Sequence, residues 1–362
     1  MLVPLAPLLA LFMALFGLWW PGLGSQLPGG LPNLPGGTLP TPPTTATTLP
    51  GGGGGGGTSG PGVLPGKHFS SNFTNAAGTR SFSGYVPSGY QAGTALPLVV
   101  ALHGCTQSAD TLSKQTQLDN LAESAKFITV YPEQPSSANN LECWNWFQSA
   151  NMQRGSGEPS ILAGITQWVQ QNYTVDAKRT YVEGFSAGGA MAVVMGATYP
   201  DLYAAIGAGS GIEYNGGTGA LGGTQLDAKQ AGQAAYQAMG ANARVLPTLV
   251  FHGAQDKTVP VSNATSLVTQ WQTTDDLADD GVLNGSIPSA AISTQSLVSS
   301  GGQAYTVSKY GDGHGHEILQ SWVVTNMEHA WSGGCSCTSY SYPAGPDETK
   351  AMVDFFLAHP KP

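Results

Sequence analysis

Six short apolar runs, rich in Val, Ile, Leu, Tyr and Phe, punctuate the chain between residues 81 and 326. They are SFSGYVP (81–87), LPLVVALHG (96–104), FITVYPE (127–133), TYVEGFS (180–186), LPTLVFHG (246–253) and ILQSWVVTN (318–326). Runs of this length bounded by Gly, Pro and Asn read as buried strands. Between most of them lie stretches with helical spacing: 109–124, 160–173, 188–198, 262–271 and a last one at 346–358, within GPDETKAMVDFFLAH, whose acidic start precedes an apolar i, i+3, i+4 face. Strands apolar on both faces must be covered on both, so this alternation predicts an α/β domain with a mostly parallel central sheet and helices on either side. Short links at the start predict an antiparallel first strand. Residues 211–240, rich in Gly, Ala and Gln, and the polar stretch 276–304 read as surface excursions from one domain.

The first 66 residues follow different rules. Leu2 to Trp20 is uninterruptedly apolar, as in the core of a secretory signal peptide or a retained membrane anchor. No Lys or Arg precedes it and no clear A-x-A site follows, so both readings stand. Residues 21–66, including LPTPPTTATTLPGGGGGGGTSGPG, are too poor in apolar side chains to offset the entropy of ordering and are expected to be a disordered linker. The expected organisation is a signal peptide or anchor at 1–20, the linker at 21–66 and one globular domain at 67–362, held outside the cytoplasm.

Charge narrows the partners. With 22 acidic against 13 basic residues the net charge is −9, and no basic run is present to track a phosphate backbone, which argues against nucleic acid. The four cysteines are Cys105, Cys143, Cys335 and Cys337. None has metal-ligand spacing with a second pair and histidines, so no metal site is expected. In an exported protein disulfides are the default. Cys105 with Cys143 is the favoured pair, because both flank segments that should converge at one rim of the sheet; Cys335 and Cys337 either bond each other or remain thiols.

The chemistry centres on Gly184-Phe185-Ser186-Ala187-Gly188, the single G-x-S-x-G of the chain. It follows a β run and precedes the helix-competent GAMAVVMGATY, as a nucleophile elbow requires: small residues flank a serine on a strained strand-to-helix turn. A glycine turn with a capping serine is the bland alternative, and the motif by itself does not decide between them. A serine hydroxyl near neutral pH needs a base. In this kind of fold the acid and then the histidine follow the serine, each on a loop after a later strand. Asp256 in LVFHGAQDKTVP and His329 in VVTNMEHAWSGG occupy those places. Of the seven histidines, His103 and His252 precede glycines at strand ends and are expected to shape backbone, His314 and His316 to form a polar surface turn, and His68 and His359 to lie near the domain ends. Asp110 and Asp201 read as helix caps.

Two backbone amides are expected to face a developing oxyanion: that of Ala187 at the start of the helix, and that of Cys105, or otherwise Thr106, in ALHGCTQ. Trp144 and Trp146 in ECWNWFQSA, with Trp331 just past His329, are expected either to be buried or to form a substrate-binding rim beside the site.

LHGCTQSAD, YPEQ, CWNWF, TYVEGFSAGGAMAVVMGATYPDLYAAIGAGSG, VFHGAQDKTVP, NMEHAWSGG and GPDETKAMVDFF together resemble the secreted esterases grouped as poly(3-hydroxybutyrate) depolymerases, close to feruloyl and acetylxylan esterases. The resemblance runs from about residue 80 to 358 in consistent order. It implies an α/β-hydrolase fold, a triad of Ser186, Asp256 and His329, and an oxyanion contribution from Cys105. The implied activity is cofactor-free ester hydrolysis on a polymeric or small ester: a poly(3-hydroxyalkanoate) polyester first, with aromatic polyesters as side substrates, and feruloyl or acetyl groups on plant polysaccharide as the alternative. No membrane contact of the catalytic domain is implied, and a monomer is expected. The stretch after WSGG, CSCTSYSYPAGPDETK, departs from the short Ser and Gly loop usual there, so the loop beside His329 is expected to be stapled differently.

Overall fold

Burial on both faces shapes the centre of the sheet: β3 (Leu96–Leu102) and β4 (Ile128–Pro132) are almost wholly apolar and inaccessible. The computed structural model describes residues 65–217 and 227–362, so the expectations for residues 1–20, and for 21–66 apart from its last two residues, lie outside the described residues. Ten strands form one sheet. In chain order they are β1 (Lys67–Asn75), β2 (Gly78–Val86), β3, β4, β5 (Val175–Phe185), β6 (Ile206–Gly209), β7 (Thr248–Gly253), β8 (Ser293–Val298), β9 (Ala304–Gly311) and β10 (Glu317–Val324). Their spatial order is β1-β2-β4-β3-β5-β6-β7-β10-β9-β8. The interior run β4-β3-β5-β6-β7-β10 is parallel throughout, while β1-β2-β4 at one end and β10-β9-β8 at the other pair antiparallel.

Seven α-helices are described: α1 (Ala109–Thr116), α2 (Leu118–Ala125), α3 (Gly157–Asn172), α4 (Ala187–Thr198), α5 (Ala228–Met239), α6 (Ser262–Asp280) and α7 (Glu348–Ala358). Side chains of α1, α2 and α7 share one apolar core with Tyr85, Val99, Tyr181 and Phe251 of the sheet. Helix α4 packs on β3, β5 and β6 and is flanked by α3 and α5, with α6 beyond α5. Every residue of α4 is buried, which explains its wholly apolar sequence. Among the described residues no helix is long and apolar enough to cross a membrane.

Four local expectations change. The helix expected over 109–124 is two, because Gln117 adopts a left-handed conformation (φ 55°) that ends α1 and starts α2. Ser108, not Asp110, caps α1, its side chain accepting the Thr111 amide, while Asp110 pairs with Lys114. Asp201 caps nothing: it lies after α4, where Arg154 grips both carboxylate oxygens at 2.6 and 2.8 Å. The stretch 276–304 is also no mere excursion, since it supplies the end of α6 and the edge strand β8. Strands β1 and β8 have too little apolar content to announce themselves.

Candidate active site

Strand β5 ends at Phe185, and the chain turns at Ser186 with φ 57° and ψ −118°. Such a backbone costs a non-glycine residue about 1–3 kcal/mol and persists only where its surroundings impose it. Here the Ser186 amide donates to the Gly209 carbonyl at 2.8 Å, and the Ser186 carbonyl accepts the Ala190 amide at 2.9 Å as α4 begins. The spacing of the flanking glycines is dictated by contact. A Cβ on Gly184 would stand 2.3 Å from the Gly188 backbone carbon, and one on Gly188 would stand 1.9 Å from the Leu102 carbonyl oxygen.

The structure brings Ser186, His329 and Asp256 into one hydrogen-bonded line. His329 Nε2 lies 2.9 Å from Ser186 Oγ, and His329 Nδ1 lies 2.7 Å from Asp256 Oδ2. Asp256 follows β7 and His329 follows β10, adjacent parallel strands. The two loops are bonded to each other, Ala254 N–H to the Val324 carbonyl and Gln255 N–H to the Met327 carbonyl, both at 2.9 Å. Asp256 Oδ1 accepts the amides of Thr258 and Val259 at 2.9 and 2.8 Å. Burial by itself would raise the Asp256 carboxyl. The hydrogen bond and charge of His329, the charge of His252 and the Val259 amide outweigh it and hold the group below its usual range. A carboxylate facing Nδ1 fixes the tautomer that keeps a lone pair on Nε2 for the serine proton.

The loop after β3 is fixed by its own hydrogen bonds. Gly104 N–H donates to Gln107 Oε1 at 2.9 Å and Thr106 N–H to the Leu141 carbonyl at 2.6 Å, so Thr106 is spent and the Cys105 amide lies between two engaged neighbours. Ala187, the first residue of α4, has an amide for which the helix supplies no acceptor. Cys105 is bonded to Cys143, and Cys335 to Cys337. Both strand-end histidines brace backbone. His103 donates from Nδ1 to the Gly104 carbonyl and accepts the Gln134 amide at Nε2, and burial lowers it to about 4. His252 Nε2 donates to the Val259 carbonyl at 2.8 Å, closing the Asp256 loop. His314 and His316 lie in a surface turn organised by Asp312, whose carboxylate accepts both of their amides.

The substrate-binding rim of tryptophans does not exist. Trp144 and Trp331 are 0% exposed and Trp146 is 3% exposed. Trp144 packs on the His103 ring at 5.6 Å, Trp146 edge-on against Phe147, and Trp331 edge-on against Phe185, its Nε1–H donating to Thr349 Oγ1 at 2.9 Å. These large rings turn inward and support the loops; they offer no face to a ligand. The aromatic rings beside His329 are Phe185 at 4.8 Å and the half-buried Tyr340 at 6.1 Å.

Further residues complete the site without any pattern announcing them. Gln107 Nε2 donates to Gln115 Oε1 at 2.8 Å, and Gln115 Nε2 donates to the Tyr340 carbonyl, so two amide side chains link the loop of Cys105 to the loop after His329. Glu158, buried in α3, accepts hydrogen bonds from Asn145, Gln134 and Arg80, fixing the segment that carries Cys143. Among the described residues no group of three or more His, Cys, Asp or Glu is placed to hold a metal ion.

Comparison with known proteins follows the same outline. The family model described as Esterase PHB depolymerase matches residues 80–285. The chain is 42% identical over 134 residues to poly(3-hydroxyalkanoate) depolymerase C of Paucimonas lemoignei, covering 37% of this chain and 32% of that one. It is 30% identical over 243 residues to feruloyl esterase B of Neurospora crassa, covering 63% and 77%. The chain therefore spans about a third of the depolymerase but most of the feruloyl esterase. A solved acetyl xylan esterase from Aspergillus awamori shares the fold, with TM-score 0.63 at 23% identity over 80% of this chain and 99% of that one.

Proposed function

The chain belongs to the PHB depolymerase esterase family, and on that premise we propose that it is a serine ester hydrolase working through an acyl-enzyme on Ser186. The observation that carries this reading is the unbroken line from Asp256 through His329 to Ser186 Oγ. As Oγ attacks the ester carbonyl carbon, its proton passes to His329 Nε2. The new bond pushes the carbonyl electrons onto oxygen, which faces the amides of Cys105 and Ala187. Collapse expels the alcohol, which takes the proton from His329 Nε2. Water then attacks the acyl carbon, losing a proton to the same nitrogen; the bond to Oγ breaks, His329 Nε2 returns the proton to Oγ, and the acid leaves with Ser186 regenerated. Asp256 stays ionised and keeps the imidazole oriented throughout.

For the substrate, a polyester of the poly(3-hydroxyalkanoate) class is the first reading, supported by the 42% identity to a depolymerase. The second is a feruloyl or acetyl ester on plant polysaccharide, supported by a relative matched over 77% of its length. We place the domain outside the cytoplasm, carried by the N-terminal segment as exported or anchored protein and acting as a monomer. A panel assay decides between substrates: clearing of poly(3-hydroxybutyrate) granules is expected to outpace release of ferulate from arabinoxylan and of acetate from xylan. The reverse order assigns the protein to the polysaccharide esters.

A further inference from the structure

Behind the loops of this site lie two buried carboxylic acids that the reaction does not use. Glu183, on β5 three residues before Ser186, is 0% exposed, and neither carboxyl oxygen has a hydrogen-bond partner. Glu348, the first residue of α7, is 1% exposed; its Oε2 accepts the Ser332 amide at 2.8 Å and its Oε1 has no partner. Burying an unpaired carboxylate is so unfavourable that such groups remain protonated instead.

The position of Glu348 gives the pair its meaning. Ser332 lies three residues past His329 in the short strand β11 (Trp331–Ser332), and its hydroxyl donates to the Pro346 carbonyl at 2.7 Å just ahead of α7. On the other side the carboxyl group lies against β6. A Cβ on Gly209 would stand 2.5 Å from Glu348 Oε1 and 3.2 Å from the Gly184 carbonyl oxygen. Gly209 is the residue whose carbonyl holds the Ser186 amide. One side chain thus touches both the loop that carries His329 and the backbone that fixes Ser186.

The titratable groups facing Glu348 are acidic: Glu183 from β5 and Asp347 from the start of its own helix. Burial pushes Glu348 well above the usual carboxyl range; the Ser332 amide opposes this, and the charges of Glu183 and Asp347 add to it. Burial alone raises Glu183 from 4.5 to about 8. We propose that Glu348 is a positioning residue for Ser186 and His329, clamped as an uncharged acid between β6 and the His329 loop, with Glu183 as its buried acidic neighbour. This rests on the reading of Ser186 and His329 as the reacting pair. Between the unfolded and folded values the unfolded chain binds fewer protons, so stability falls as pH rises toward 8. Ionising either acid places charge in the apolar layer that aligns the two loops.

Three variants test this: Glu348→Gln, Glu348→Ala and Glu183→Gln, each followed by Tm, by kcat and KM on p-nitrophenyl butyrate, and by fluorophosphonate labelling of Ser186. In the unaltered protein Tm should fall between about pH 5 and about pH 8.5. Both Gln variants should flatten that slope, and Glu348→Gln, which still accepts the Ser332 amide, should keep the acid-side kcat. Glu348→Ala should lower kcat by about 10- to 100-fold while KM stays within about twofold, the mark of misaligned reacting groups. Two Gln variants that keep the original slope overturn the proposal, as does a folded Glu348→Ala with unchanged kcat. Should Glu348→Ala not fold, the Gln slopes decide. An unaltered protein whose Ser186 is never labelled overturns the reading of the site itself, whereas a labelled protein with identical slopes in all variants overturns this proposal alone.

Discussion

Replacing Ser186 with alanine is expected to lower kcat for p-nitrophenyl butyrate by about a million-fold, leaving only the small acceleration that binding and oxyanion donors supply without a nucleophile. The substitution removes one oxygen atom at a site whose backbone is fixed by other means. The Gly209 carbonyl holds the residue 186 amide, and α4 starts from its carbonyl. Alanine also accepts the same backbone conformation no worse than serine does. The variant should therefore fold with unchanged Tm, which separates loss of chemistry from loss of structure. Retention of substantial turnover by folded Ser186→Ala contradicts the assignment.

Asp256→Asn is expected to lower kcat by about ten-thousand-fold with little change in KM. The cause is tautomeric. Asp256 Oδ1 is engaged by the Thr258 and Val259 amides, so Oδ2 is the atom left to meet His329 Nδ1. Asparagine in the same pose keeps its oxygen on those amides and presents an N–H to Nδ1. The imidazole must then turn its lone pair toward residue 256 and its proton toward Ser186, where it can no longer accept. Burial of Asp256 with a second imidazole, His252, 3.6 Å away adds to the effect, because the site is built around one negative charge. Kinetics on the purified variant check this, and a loss under about tenfold would mean that Asp256 does not orient the base.

Much of this site is legible in the residues because steric and connective rules admit few solutions. Gly184 and Gly188 have no room for a side chain, so the elbow must spell G-x-S-x-G, and the parallel strands β5, β7 and β10 gather the turn and loops that follow them at the same end of the sheet. Asp256 and His329 could therefore be chosen from order and place. The tryptophans could not: a ring in a loop sequence looks alike whether it points out or in, and the inward packing of Trp144 and Trp331 depends on His103 and Phe185 arriving from elsewhere. The Gln107 and Gln115 relay is likewise silent, because lone amide side chains carry no period. Glu183 sits within a strand and Glu348 reads as an ordinary acidic first turn; only the fold shows that both face inward. The break between α1 and α2 has no sequence signal because Gln117, unlike glycine, does not advertise a left-handed conformation.

The most direct measurement is mass spectrometry of the protein after reaction with a fluorophosphonate. A single adduct on the peptide containing Ser186, absent from Ser186→Ala and strongly slowed in Asp256→Asn, is the predicted result. An unmodified Ser186, or an adduct carried by another residue, would contradict the account at its centre.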